Sequence, residues 1–341
     1  MSLAGSDPSS TSTKGPFTPL EWTGFFETKR QVSIPKGLDS TEITFTLYEI
    51  NGGEDKSDLP VILLHHGAGH CALSFAATAR ELGKLVGDRA RIISYDARGH
   101  GETTSKDQLN LDLERLSTDV RNVIWTLFGG AKDPEGDQDG QEAFIPTKID
   151  ESKLPKLFMV GHSMGGAVVT NVMYKGLLPN AVGIAVLDIV EVVKQYAYMA
   201  IRQWCENRPS PCKTVEEAVQ WAMDTDVIRN LESARVSFPG MIVRTSDAQD
   251  STYEWRTNLL RSEQYWATWL DGMNQRFLNA PTRKLLILGG ATPVDDELKQ
   301  GLKEEKFQLV VFPEAGHAVQ EDNPTRMAQE VFAFSQVDLG L

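Results

Sequence analysis

A hydroxyl, an imidazole and a carboxylate are the groups this chain can bring together for acyl transfer. The hydroxyl is that of Ser163, within Gly161-His162-Ser163-Met164-Gly165-Gly166. The apolar run Leu157-Phe158-Met159-Val160 ahead of it reads as a short buried strand, and Ala167–Met173 after it as a helix. Glycines two before and two after the serine let the backbone turn sharply without Cβ clashes. Such a turn strains the serine and lifts its hydroxyl above the sheet, as in a nucleophile elbow. The bland alternative is a tight glycine turn with an idle serine. The strand, the helix and the extra Gly166 together outweigh it.

An alcohol is a poor nucleophile near neutral pH until a base takes its proton. Six histidines are available. His65, His66 and His70 belong to the loop after an early strand, His100 to the next loop, and His162 flanks the serine. Only His317, in Pro313-Glu314-Ala315-Gly316-His317-Ala318, follows the last strand, where a nucleophile–acid–histidine order puts the base. The acid has two candidates. The loop after strand Lys284–Leu288 reads Gly289-Gly290-Ala291-Thr292-Pro293-Val294-Asp295-Asp296, with threonine where an early aspartate is expected. Asp295 and Asp296 come later and resemble a helix start. Asp188 closes Ile184-Ala185-Val186-Leu187 beside the elbow strand, from where a carboxylate holds the tautomer of His317. Asp188 is the expected acid and Asp295 the runner-up. The expected oxyanion donors are backbone amides: Met164 at the helix start, and Ala68 in His66-Gly67-Ala68-Gly69.

These groups need a frame. Gln31–Ile34, Glu42–Tyr48, Val61–Leu64, Arg91–Tyr95, Gly183–Leu187 and Phe307–Phe312 also read as strands. Ala72–Val86, Leu109–Leu127, Asp295–Lys303 and Asn323–Phe334 read as helices. The alternation predicts an α/β class, a doubly wound, mostly parallel sheet of the α/β-hydrolase fold. From 193 to about 279, aromatic and apolar residues fall at helical spacing and predict a helical lid insertion over the strand ends. The expected organisation is a disordered tail over 1–18 and a single domain over 19–341, with an acidic surface loop near 129–150.

Composition narrows the partners. A net charge of −13 disfavours nucleic acid and anionic membranes, and no apolar run is long enough to span a bilayer. Three cysteines, an odd number with no zinc-like spacing, predict free thiols and a reducing compartment. The expected location is cytoplasmic, with the nucleus as a second compartment.

With Ser163, Asp188 and His317 assembled, the chain resembles the protein phosphatase methylesterase family. The resemblance is carried by Gly161–Ala167, Asp188-Ile189-Val190-Glu191 and the lid decapeptide Ile228–Ser237. His66–His70, Gly101-Glu102-Thr103 and Gly316-His317-Ala318-Val319 add to it. The decapeptide is the specific part, and the coverage runs from about Pro19 to the C-terminus. Ala68 stands where glycine is expected and Gly99 where serine is usual. The resemblance implies the same triad, no metal or organic cofactor, and one protein substrate, the methylated C-terminal leucine of the type 2A protein phosphatase catalytic subunit. A monomer is expected. It also implies a lid groove for a peptide end, with Arg229 or Arg235 pairing either with the partner or within the lid. A resting triad held out of line until the partner arrives is a further expectation. The competing readings are a small-molecule serine esterase and a mainly non-catalytic phosphatase-binding protein.

Overall fold

Alternation of side chains along each strand sorts the apolar residues into two cores. The computed structural model describes residues 15–53, 56–131, 149–245, 252–290 and 292–341. Its strands are β1 Thr28–Ser33, β2 Thr44–Ile50, β3 Val61–His65, β4 Arg91–Tyr95, β5 Leu157–His162, β6 Ala181–Leu187, β7 Ile242–Arg244, β8 Tyr253–Trp255, β9 Arg283–Gly289 and β10 Gln308–Phe312. Its helices are α1 Ala76–Val86, α2 Leu113–Phe128, α3 Met164–Tyr174, α4 Lys194–Asn207, α5 Val215–Asp224, α6 Leu231–Met241, α7 Trp266–Leu270, α8 Met273–Asn279, α9 Asp296–Lys303, α10 Val319–Asp322 and α11 Pro324–Leu339.

One sheet runs β1-β2-β4-β3-β5-β6-β9-β10, antiparallel at β1–β2 and β2–β4 and parallel from β4 to β10. Ile62 and Leu64 of β3 join Phe158 and Val160 of β5 in one core. Val61 and Leu63 join Leu157 and Met159 in the other. Helices α1 and α11 pack together on the first face, and α2, α3 and α8 on the second. Each such buried side chain contributes about 1.5–3 kcal/mol, which fixes the register of the central strands. This is the α/β-hydrolase arrangement that the alternation predicts.

The differences are local. The helix expected from Leu109 starts at Leu113, because the Asp112 side chain accepts the Glu114 amide at 2.9 Å and caps it there. Of the tail expected over 1–18, the described end meets the body. Phe17 packs on the core and the Thr18 carbonyl accepts Arg235 Nε at 2.6 Å. Residues 1–14 and most of the acidic loop, 132–148, lie outside the described residues. The insertion over 193–279 is not wholly helical, since β7 and β8 pair as a hairpin. Nor is it a detached layer: α5 and α6 extend the α1–α11 core, whereas α7 and α8 pack against α3. Among the described residues, no helix is long and apolar enough to cross a membrane, and Cys71, Cys205 and Cys212 are free thiols.

Candidate active site

The turn between β5 and α3 forces Ser163 to φ 51° and ψ −120°, a region that side chains other than glycine rarely enter. The flanking glycines make it sterically possible. A Cβ on Gly161 would lie 2.2 Å from the Gly165 carbonyl oxygen, and one on Gly165 would lie 2.3 Å from that of His65. Ser163 is held by its own backbone, its amide donating to the Leu187 carbonyl at 2.9 Å, and remains partly exposed.

Asp188 directly follows β6, next to β5 in the sheet, and also has a positive φ, 47°. Its Oδ2 accepts His317 Nδ1–H at 2.7 Å. Oδ1 accepts the Gly289 amide and the Thr292 hydroxyl, each at 2.8 Å. Burial alone would raise this carboxyl's pKa; the bonds and charge of His317, then Gly289 and Thr292, outweigh it and hold the pKa below the ordinary value. Asp188 is therefore an anion at neutral pH. The runner-up, Asp295, caps α9 by accepting the Leu298 amide at 2.9 Å and takes Asn274 Nδ2 at 2.6 Å, so its carboxylate is occupied elsewhere. The threonine that departs from the sequence expectation thus serves the acid on the neighbouring strand.

His317 lies on the loop after β10 with a largely exposed side chain. With Nδ1–H committed to Asp188, Nε2 is left as the proton acceptor. Its backbone is pinned by His162, whose Nε2–H donates to the His317 carbonyl at 2.9 Å. Among the described residues, the Ser163 hydroxyl makes no hydrogen bond to the imidazole. The acid–imidazole half of the set is assembled.

The loop after β3 approaches closely, since a Cβ on Gly67 would lie 3.2 Å from that of Ser163. Neither the Ala68 nor the Met164 amide has a partner among the described residues, leaving both as donors at the site. Neutral imidazoles fix this loop. His66 Nδ1–H donates to the Gly67 carbonyl at 2.8 Å while Nε2 accepts the Ala97 amide at 2.9 Å. His100 Nε2 accepts the Gly69 amide at 2.9 Å. Burial depresses the pKa of His65 and His100 to about 4 and that of His66 and His162 well below the usual value.

A brace unseen in the sequence joins both loops to the insertion. Glu321, fully buried on α10, accepts the Ser237 hydroxyl at 2.6 Å and the His70 ring at 3.2 Å. Its carbonyl accepts the Ser233 hydroxyl at 2.8 Å. Asp322 accepts the amides of Arg229 and Gly316, both at 2.7 Å, and Arg229 Nη1 donates to the Glu314 carbonyl at 2.7 Å. The decapeptide Ile228–Ser237 is therefore an internal strut between the two catalytic loops. Arg229 and Arg235 both bond within the molecule, Arg235 to the Thr18 carbonyl. Of the insertion's aromatics, Trp204 lies at the site, stacked on His70 at 6.1 Å and against Gly69, while Trp221 and Trp255 pack with Phe238. Among the described residues, no group of three or more His, Cys, Asp or Glu side chains is placed to hold a metal ion.

Residues 61–330 match the alpha/beta hydrolase family. The chain is 36% identical to protein phosphatase methylesterase 1 of Aspergillus oryzae, over 92% of this chain and 70% of that one. It is 31% identical to the Mus musculus protein of the same name, over 94% and 85% of the two chains. Among solved structures, it is similar to E-2-(acetamidomethylene)succinate hydrolase, with TM-score 0.67, 17% identity and 90% and 98% of the chains covered. An esterase of M. tuberculosis superposes with TM-score 0.62 at 15% identity, over 90% and 91%. These two likenesses speak to the fold alone.

Proposed function

The chain belongs to the alpha/beta hydrolase family and, within it, to the protein phosphatase methylesterases, and from this we propose that it demethylates a phosphatase tail through a serine triad. It is a carboxylic ester hydrolase. Its substrate is the methyl ester on the C-terminal leucine of the type 2A protein phosphatase catalytic subunit. The observation that carries this reading is the 2.7 Å bond from His317 to an anionic Asp188, one strand from the strained Ser163.

In this mechanism His317 Nε2 takes the Ser163 proton as Oγ attacks the ester carbonyl. The resulting oxyanion sits between the Met164 and Ala68 amides, which are fixed before charge develops and need no reorganisation. Asp188 stabilises the imidazolium and keeps the ring oriented. His317 then protonates the departing methoxide, methanol leaves, and water, deprotonated by the same imidazole, hydrolyses the acyl-enzyme. His162 and Thr292 are positioning residues, acting through His317 and Asp188.

The test is release of methyl groups from the methylated phosphatase subunit. Ser163→Ala is expected to lower the rate by roughly a thousandfold or more while the subunit still binds. Unchanged release would sink the serine mechanism. Rapid turnover of aryl esters with none of the methylated protein would favour a small-molecule esterase.

A further inference from the structure

The turn that carries the Ala68 amide also carries an imidazole that the triad does not use. The His70 amide donates to the Gly67 carbonyl at 3.1 Å, and Gly69 has φ 76°. Residues 67–70 are therefore one tight turn, with Ala68 at its second position and its ends within about 7 Å of each other. Its first residue lies against the nucleophile, since a Cβ on Gly67 would stand 3.2 Å from that of Ser163.

The His70 ring is fixed on three sides. Its Nδ1–H donates to the buried Glu321 carboxylate at 3.2 Å. Trp204 stacks on one face with 7° between the planes. The His162 ring meets it edge-on at 5.3 Å and itself stands 4.8 Å from the ring of His317. His70 and His317 thus flank His162, the residue before Ser163, and each turns Nδ1 to a carboxylate. The fourth side of His70 is open. A tenth of its side chain is exposed, and Nε2 has no hydrogen-bond partner among the described residues yet is not sealed from solvent. With Nδ1 as the donor, Nε2 presents a lone pair.

We infer that His70 Nε2 accepts the backbone N–H of the substrate's C-terminal residue. The inference rests on the reading that the substrate is a peptide ester. In such an ester this N–H is two bonds from the carbonyl carbon that Ser163 attacks. The oxygen of that carbonyl is held by Ala68, on the same turn as His70. Simple alkyl and aryl esters have no donor at this place. A fixed acceptor therefore favours peptide esters over other esters, without touching the reacting atoms. Glu321 and Trp204 hold the ring in position for this contact.

The experiment follows methanol release by the full chain from two short peptides ending in a leucine methyl ester. In one the leucine N–H is intact; in the other an oxygen replaces it. The native chain is expected to favour the N–H ester about tenfold in kcat/KM. His70→Asn keeps an amide N–H for Glu321 and has nothing in place of Nε2, so it should erase the preference while sparing the oxygen isostere. His70→Gln, with an amide near the Nε2 position, should restore part of it. The ratio is taken within one preparation, so a partly folded variant still reports it. Equal turnover of the two esters by the native chain, or a preference that survives in His70→Asn, would overturn the inference. So would an equal fall on both esters, the mark of a merely structural His70. Equal turnover leaves the esterase reading standing, whereas failure to release methyl groups from the phosphatase bears on that reading alone.

Discussion

Helices α4 and α6 belong to the same insertion and meet the body in opposite ways. Helix α6 is stitched by Ser233, Ser237 and the preceding Arg229 to the turn that follows His317. It also accepts the Cys71 thiol at the Ser237 carbonyl, so it reaches the loop beyond Ala68. Helix α4 has no fully buried residue and turns Tyr196 (73% exposed) and Met199 (69% exposed) to solvent. Its Trp204 side chain reaches the site. The contrast shows that the specific decapeptide in the sequence marks a strut for the catalytic loops. The neighbouring helix carries the apolar surface that the body does not use.

The largest test of this contrast is pH. His65, at the end of β3, and His100, in the loop after β4, titrate near 4 when folded and near 6.5 when unfolded, so between those values the unfolded chain holds the extra protons. Stability therefore falls with pH through this window, by about 2 kcal/mol for each imidazole at pH 5. Urea denaturation at pH 7 and pH 5 measures the loss. Equal stability at both would break the picture. Next is Glu321→Leu, which leaves the Ser237 hydroxyl and the His70 ring unpaired in the interior. A loss of about 2–3 kcal/mol is expected in the same assay, with a fall in kcat because the turn after His317 slackens. A loss below 1 kcal/mol with normal kcat would mean that α6 is not a strut. The smallest effect belongs to α4: Tyr196→Ser and Met199→Ser should each change stability by less than about 0.5 kcal/mol. A larger loss would reveal that this face is covered within the free protein.

How legible each part was depends on how far its cause lies along the chain. The elbow could be read because its requirement is local: glycines at fixed offsets, between an apolar run and a helix. Asp188 could be read because it directly follows the strand beside the nucleophile, and Asp295 already looked like the helix cap it is. The mostly parallel sheet followed from the alternation of elements. The partnership of Thr292 with Asp188 spans 104 residues and that of His70 with Glu321 spans 251, so no spacing rule connects them. His162 carries no local sign of its bond to the His317 carbonyl, because that contact exists only once β5 and the last loop come together. The β7–β8 hairpin went unread because each strand has three residues, too few to display a period of two.

Ser163 and Asp188 each stand one residue past the end of adjoining parallel strands, and each has a positive φ. The gap between alcohol and acid is thereby set by a single rung of backbone pairing, about 4.8 Å wide, and not by any loop's length. With the charge on Asp188, the loop after β9 contributes a neutral donor, the Thr292 hydroxyl. Gly290 is held by a different demand, since a Cβ there would lie 2.5 Å from the Pro313 carbonyl oxygen of the loop that carries His317.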